Sequence, residues 1–103
     1  MDFSELKNRS REIREAYHKL EVAHHGSKWS VEEDALAFLT DAALVGRQVM
    51  SHEGRWPKAN TQDELKHKIG ESIWWLTVLS DRMGIDIESA TTEFLSKTEK
   101  IVK

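Results

Sequence analysis

Apolar residues recur at helical intervals through the first quarter of the chain, with lysine, arginine and glutamate on the remaining faces. The apolar positions are Phe3, Leu6, Ile13, Tyr17 and Leu20. This spacing predicts one amphipathic helix. We expect that helix to end near Gly26, because glycine adopts the left-handed backbone that closes many helices.

A second helix is predicted from Ser30 to about Met50, ahead of Gly54. Ser30 and Glu33 form a capping-box pattern, in which each side chain accepts a hydrogen bond from the other residue's backbone amide. The apolar positions, which cover more than half of the circumference, are Val31, Ala35, Leu36, Leu39, Ala42, Ala43, Val45, Val49 and Met50. A helix of this kind is buried on more than one side.

The segment 51–60 contains Gly54 and the only proline, Pro57, and is predicted to be a loop. Thr61 and Glu64 repeat the capping-box pattern and open a third helix, which we expect to stop at Gly84. A single core stripe is predicted along this helix. Its members are Leu65, Ile69, Ile73, Leu76, Leu79 and Met83.

Trp74 and Trp75 fall outside that stripe and, as neighbours, point about 100° apart on a helix. At least one of them is therefore expected to face a partner subunit or a ligand surface.

Asp86 is expected to cap a fourth helix. The apolar positions of that helix are Ile87, Ala90, Phe94, Leu95 and Ile101. With no strand alternation in the chain, the pattern predicts an all-α fold.

Length and composition favour one domain that spans residues 1–103 and associates with itself. No stretch rich in proline, glycine or serine divides the chain. A domain of this size buries only somewhat more than ~60% of its unfolded surface, and association buries more.

Charge and residue usage exclude several classes of partner. The 15 basic and 18 acidic residues are interspersed and give a net charge of −3, which argues against a nucleic-acid partner. The absence of cysteine excludes disulfides and thiolate chemistry. No apolar run approaches the ~20 residues of a membrane span, and the charged N-terminus resembles no signal segment. We expect a cytoplasmic protein with no membrane partner.

Most motifs that bind metal or phosphate are missing. The Glu-x-x-His pairs are Glu15/His18, Glu21/His24 and Glu64/His67. The first and third pairs lie off the apolar stripes, which predicts solvated helix surface rather than a buried di-metal site. The glycines are dispersed and form no phosphate-binding loop. The remaining candidates are Asp41 and Glu71, since carboxylates on two helices can converge on a cation such as Mg²⁺.

Two stretches of the chain are distinctive: 68–76, Lys-Ile-Gly-Glu-Ser-Ile-Trp-Trp-Leu, and 79–86, Leu-Ser-Asp-Arg-Met-Gly-Ile-Asp. Through them, from Trp29 to about Lys100, the chain resembles the MazG-like family of nucleoside-triphosphate pyrophosphohydrolases. The family typically has Glu-Leu-Gly-Asp before an aromatic helix, followed by an Ala-Asp-Arg-Leu-Gly-Ile-Asp-like turn. The stretch 39–45, Leu-Thr-Asp-Ala-Ala-Leu-Val, is similar to the family's other metal motif, commonly Glu-Ala-Ala-Glu-Leu.

The resemblance implies a bundle of four to five helices that forms a homodimer or homotetramer. It also implies hydrolysis of NTP or dNTP to the monophosphate and pyrophosphate, with Mg²⁺ held by a Glu-x-x-Glu and a Glu-x-x-Asp. By position, Asp41 and Glu71 are the metal carboxylates, while Leu44 and Lys68 replace the other two. No catalytic residue is assigned. An ammonium offers no lone pair to a cation and repels it, so the Mg²⁺ site is weakened or lost.

The same resemblance suggests substrate-binding residues. Trp75 can stack on a nucleobase, Arg82 can reach phosphate, and Lys68 can pair with Asp41 or Glu71 in place of the ion. Three functions stay open: a metal-dependent pyrophosphohydrolase, a degenerate nucleotide-binding or oligomeric module, and a helical adaptor anchored by its tryptophans. The sequence specifies neither the base, the sugar, the oligomeric state nor the biological role.

Overall fold

The computed structural model describes all 103 residues, Met1–Lys103, and contains four α-helices and no strand. The helices are α1 (Phe3–His25), α2 (Val31–His52), α3 (Thr61–Arg82) and α4 (Ile87–Val102). The all-α fold predicted from the sequence pattern is confirmed. None of the four helices combines the length and the apolarity that crossing a bilayer requires.

Most helix ends follow the local signals in the sequence. Gly26 closes α1 in the left-handed conformation, with φ of 81°. The capping box at α2 is complete, because the Ser30 hydroxyl accepts from the Glu33 amide and the Glu33 carboxylate accepts from the Ser30 amide. Asp86 caps α4 by accepting from the Ser89 amide. These three predictions are confirmed.

The predicted capping box at the start of α3 is wrong. Asn60, at φ of 58°, occupies the cap position and makes no side-chain cap bond. The Thr61 hydroxyl donates instead to the Lys58 carbonyl at 2.9 Å. Glu64 accepts from Lys58 and from Gln48, so its carboxylate ties the loop and α2 to α3. The tertiary partners of Glu64 therefore replace the local bond that the motif predicts.

The core of the fold is an antiparallel α2–α3 hairpin. Side-chain pairs run in opposite directions along the two helices, from Asp34 with Arg82 to Gln48 with Glu64. On α1, which packs against α3, the Ser10 carbonyl accepts from the Trp74 indole at 3.3 Å. In contrast, α4 touches α3 only slightly, and none of its residues is buried.

The apolar stripe predicted as the core of the third helix faces outward. Ile69, Ile73, Leu76 and Met83 are 45–54% exposed, and only Leu79 among the fully buried residues belongs to the stripe. The packed face of α3 is instead centred on Trp75, which is 7% exposed. Helical periodicity identifies which face is apolar, but it does not indicate whether the covering surface belongs to the same chain.

The single chain is consequently open for its size. Its accessible surface is 7562 Å², whereas a monomer of this mass is expected to expose about 6,000 Å². Its radius of gyration is 16.2 Å, compared with ~13 Å for a compact domain of this length. The only buried apolar side chains are Trp75, Val78 and Leu79.

Candidate functional site

The two predicted metal carboxylates converge on the side chain of Lys68. The Lys68 ammonium donates to Asp41 Oδ1 at 3.0 Å and to Glu71 Oε1 at 2.9 Å. The hydrogen bonds to Glu71 and Asp41 raise the pKa of Lys68 above its ordinary value, so the group stays charged at neutral pH. We call these three side chains the lysine cluster.

Trp75 completes the environment of Asp41. Its indole nitrogen donates to Asp41 Oδ2 at 2.8 Å, so both oxygens of this carboxylate have a partner. Asp41 itself is 9% exposed. The Trp75 ring, which sequence analysis assigned to substrate stacking, is therefore held by a hydrogen bond at its edge and is largely buried.

The donor set does not fit a divalent cation. Leu44, at the third expected carboxylate position, supplies no oxygen, and Lys68 places a positive charge within 3.0 Å of both remaining acids. No three acidic or histidine side chains are grouped so that they can hold a metal. Mg²⁺ requires near-octahedral oxygen coordination, and two carboxylates that share an ammonium do not provide it.

An aromatic cavity of about 390 Å³ borders the lysine cluster through Glu71. It is lined by Arg14, Tyr17, Leu20, Glu21, His24, His25, Trp29, Glu71, Trp74 and Trp75. The Tyr17 and Trp74 rings lie 6.1 Å apart, and the Trp74 and Trp75 rings 4.6 Å apart. A half-open cavity with these walls can accept a flat ring.

The sequence pattern does not mark Trp29 and Tyr17 as cavity residues. Tyr17 belongs to the apolar stripe of α1, which gives no reason to separate it from packing residues. Trp29 lies between two helices, where no periodicity applies, and its amide donates to Glu21 at 2.8 Å. An isolated tryptophan directly before a helix cap was the only available signal.

Arg82 lies in a different cluster from the other predicted site residues. Its Nη1 donates to Asp34 at 2.7 Å and to the Trp29 carbonyl at 3.1 Å. Asp34, which is fully buried, also accepts two hydrogen bonds from Arg14. The structure thus brings together Asp41, Glu71, Lys68 and Trp75, but not Arg82.

Arg14 and Glu21 complete this second cluster. Arg14 is 3% exposed and donates two hydrogen bonds to Glu21. Burial raises the pKa of Glu21, but hydrogen bonds from Arg14 and from the Trp29 amide outweigh it and leave that pKa below its ordinary value. The cluster joins α1, α2 and α3 by ion pairs.

Comparison of the chain with known protein families, with curated proteins and with solved structures finds no match. The class that the fold and the site define is an all-α, four-helix protein with an ammonium held between two carboxylates beside an aromatic cavity. The MazG-like resemblance rests on the motifs in 39–45, 68–76 and 79–86 alone.

Proposed function

We propose that this chain is a degenerate member of the MazG-like group, which binds a nucleotide without metal and does not hydrolyse it. One observation carries the proposal: the Lys68 ammonium bridges Asp41 and Glu71, the two acids that the motif comparison assigns to the metal. Lys68 supplies a positive charge to the acids but leaves them no role as ligands.

The chemistry of an ammonium explains why hydrolysis is not expected. A divalent ion accepts lone pairs from a triphosphate and from water, and it lowers the pKa of the attacking water. An ammonium has only N–H donors, and Lys68 uses two of its three on Asp41 and Glu71. The cluster therefore has no group that activates water or neutralises a triphosphate.

The aromatic cavity supports retained nucleotide binding. Stacking of a base on an aromatic side chain contributes ~1–3 kcal/mol, and it needs no metal. Tyr17 and Trp74 form one wall of the cavity, and Glu71 lies at the edge nearest the lysine cluster. The base stacks on these rings, and N–H groups of the base donate to carboxylate oxygen at the rim.

Self-association into a dimer or tetramer is part of this proposal. The outward face of α3 and the apolar side of α2 lie on one hairpin, and burial of that face between two copies yields a four-helix core. Leu36 and Leu39 on α2 are 64% and 63% exposed in the single chain. A second copy gives these residues the cover that the single chain lacks.

Two assays test the proposal together. Pyrophosphate release from a panel of NTPs and dNTPs at millimolar Mg²⁺ should stay at the buffer level. Quenching of tryptophan fluorescence by nucleosides and nucleotides should give the same Kd in EDTA and in Mg²⁺. Turnover that Glu71→Gln abolishes and the exposed control Glu12→Gln preserves would contradict the proposal.

The second candidate function is the metal-dependent pyrophosphohydrolase. It is favoured by the convergence of Asp41 and Glu71 on a single point, about 3 Å from each, where a cation that displaced Lys68 would be bound by both. In that case calorimetric titration with Mg²⁺ or Mn²⁺ should give a saturable binding isotherm, and added nucleotide should increase the measured heat of binding. A silent titration with metal, with and without nucleotide, would exclude this candidate.

A further inference from the structure

A second cavity, of about 260 Å³, lies between α1, the residues that follow it and the C-terminal end of α3. It is lined by Arg11, Arg14, Glu15, His18, Lys28, Val78, Asp81 and Arg82. Four cationic side chains thus face two carboxylates in the lining. Asp34 and Glu21, outside the lining, pair with Arg14 and Arg82, so Lys28 is the cation without an ion pair. None of the three residues of the lysine cluster belongs to the lining.

The arginines of this cavity differ in how many of their donors are already used. Arg14 donates hydrogen bonds from Nε, Nη1 and Nη2 to Asp34 and Glu21. Arg82 makes both of its hydrogen bonds from Nη1, so its Nε and Nη2 have no protein acceptor. Arg11 bonds Asp81 through Nε and Nη2, which leaves Nη1 without an acceptor.

Lys28 adds one more cationic donor, and the His18 ring also lines the cavity. Lys28 has no carboxylate within ion-pair distance and makes no side-chain hydrogen bond to the protein, and Nε2 of His18 is buried with no hydrogen-bond partner. Burial and the nearby charges of Arg14, Arg82 and Lys28 lower the pKa of His18, against a smaller opposing effect of Glu21. Of these three cations, Arg14 and Arg82 are paired with Asp34 and Glu21, so Lys28 is the one whose charge is left for an anion.

We propose that this cavity binds a phosphate-class oxyanion, with Lys28, Arg11 and Arg82 as the donors. A tetrahedral oxyanion accepts hydrogen bonds from several directions, and these donors come from α1, α3 and the segment between α1 and α2. The cavity volume of about 260 Å³ equals that of several waters at ~30 Å³ each, so an oxyanion has room in it.

Glu15 opposes such binding, so its replacement should strengthen binding, whereas loss of a cationic donor should weaken it. Its carboxylate lines the cavity and has no ion-pair or hydrogen-bond partner in the chain, unlike Asp81, which Arg11 neutralises. Of the two lining carboxylates, Glu15 is the one whose charge no ion pair offsets. Replacement of this residue by glutamine removes the repulsion and leaves the lining donors unchanged.

The first test measures binding of inorganic phosphate by calorimetry in a buffer free of oxyanions. We expect a saturable isotherm that Lys28→Ala weakens about tenfold, the effect of losing one charge-assisted hydrogen bond. Glu15→Gln should tighten binding severalfold. The matched control Lys19→Ala, which removes an exposed lysine from the same end of α1, should change nothing.

The second test follows the imidazole of His18 by NMR during a pH titration. Phosphate should raise the pKa of His18, because the bound anion favours the charged ring. Lys28 lies in an exposed segment. In the variant Lys28→Ala, a higher phosphate concentration should be needed to raise the pKa of His18 by the same amount. This readout responds to an anion beside His18 and not to a change in overall stability.

Comparison of ligands then identifies the source of the phosphate group. If inorganic phosphate saturates the site, the ligand is a free oxyanion; if only a nucleoside monophosphate gives Lys28-dependent binding, the group belongs to a nucleotide. Absence of saturable binding by either ligand, or equal effects of Lys28→Ala and Lys19→Ala, would overturn the assignment. The lysine cluster takes no part in these measurements, so they are independent of the proposed function.

Discussion

Lys68 carries one positive charge between Asp41 and Glu71, whereas a divalent ion in the same place would carry two. The position of its ammonium could be anticipated from sequence, because Lys68 and Glu71 are three residues apart and share a helix face. The partnership with Asp41 was anticipated only through the motif comparison. Spacing within one helix cannot give the register between α2 and α3.

Restoration of the missing carboxylates should restore a response to metal. In the double variant Leu44→Glu, Lys68→Glu, four acids at i,i+3 spacing repel one another without a cation, so this protein should be less stable than wild type in EDTA. Added Mg²⁺ should raise its Tm, since a ligand of the folded state stabilises by about 2.7 kcal/mol at a hundredfold excess over Kd. Thermal unfolding in EDTA and in Mg²⁺ measures this.

Wild type should respond far less than the double variant. An equal shift of Tm in the two proteins would show that Leu44 and Lys68 do not occupy metal positions. That result would also remove the residue-by-residue basis of the MazG-like comparison.

Glu21 should contribute to the loss of stability in acid. Its folded pKa lies below the ordinary value, so it stabilises the fold above its unfolded pKa of ~4.3, and this stabilisation is lost as the pH falls through the folded pKa. Glu21→Gln should therefore cost about 1–3 kcal/mol at pH 7, the size of a hydrogen bond to a charged group. Between pH 5 and 3 this variant should lose less stability than wild type.

Urea unfolding at several pH values provides the measurement, and Glu12→Gln is the matched control because Glu12 is exposed on the same helix. The same dependence on pH in all three proteins would show that the ion pair of Glu21 with Arg14 contributes nothing. The sequence pattern gives no sign of the cluster around Arg14, because Arg14 sits beside the apolar stripe of α1 and its second partner, Asp34, lies 20 residues away.

At the scale of the helices, local signals identified the caps at Gly26, at Ser30 with Glu33, and at Asp86, but not the cap of α3. Gly26, Ser30 with Glu33, and Asp86 act through atoms within a few residues, and such signals can be read from sequence. At α3 the same motif failed because Glu64 bonds Lys58 and Gln48 instead. These contacts depend on how the loop and α2 pack, which no local pattern contains.

This difference between the two motifs predicts different effects of mutation. Ser30→Ala removes a cap bond and should lower the free energy of unfolding by ~1 kcal/mol. Glu64→Gln should leave the first turn of α3 unchanged, since its carboxylate makes no bond to the start of the helix, and should weaken the bonds from Lys58 and Gln48. Urea midpoints measure stability, and amide exchange at the first turn of each helix locates the change. Faster exchange at the start of α3 in Glu64→Gln would contradict this interpretation.

At the scale of the whole molecule, the apolar faces of α1, α2 and α3 are only partly covered within one chain. Sequence patterns identified these faces correctly but assigned the stripe of α3 to an internal core. The surface area and the radius of gyration both exceed those of a compact monomer. We therefore expect a dimer or tetramer in sedimentation equilibrium at tens of micromolar.

Ile73→Asp distinguishes an interface from an internal core. Ile73 is 48% exposed in the single chain, so the variant should stay helical while its association constant falls. Lys19→Glu, which changes an exposed lysine on α1, should associate as wild type does. A wild-type monomer at these concentrations, or loss of helical signal in Ile73→Asp, would show that the outward face of α3 is not the interface.

The ammonium at the centre of the lysine cluster is part of the polypeptide, and this changes what the protein depends on. A bound ion must be acquired from its surroundings, can be stripped by a chelator and can be exchanged for another metal. Lys68 is synthesised with the chain in a fixed ratio of one per subunit, and it cannot dissociate. The geometry of Asp41 and Glu71 therefore does not depend on the supply of metal ions. In exchange, the cluster lacks any chemistry in which a bound metal ion exchanges its ligands.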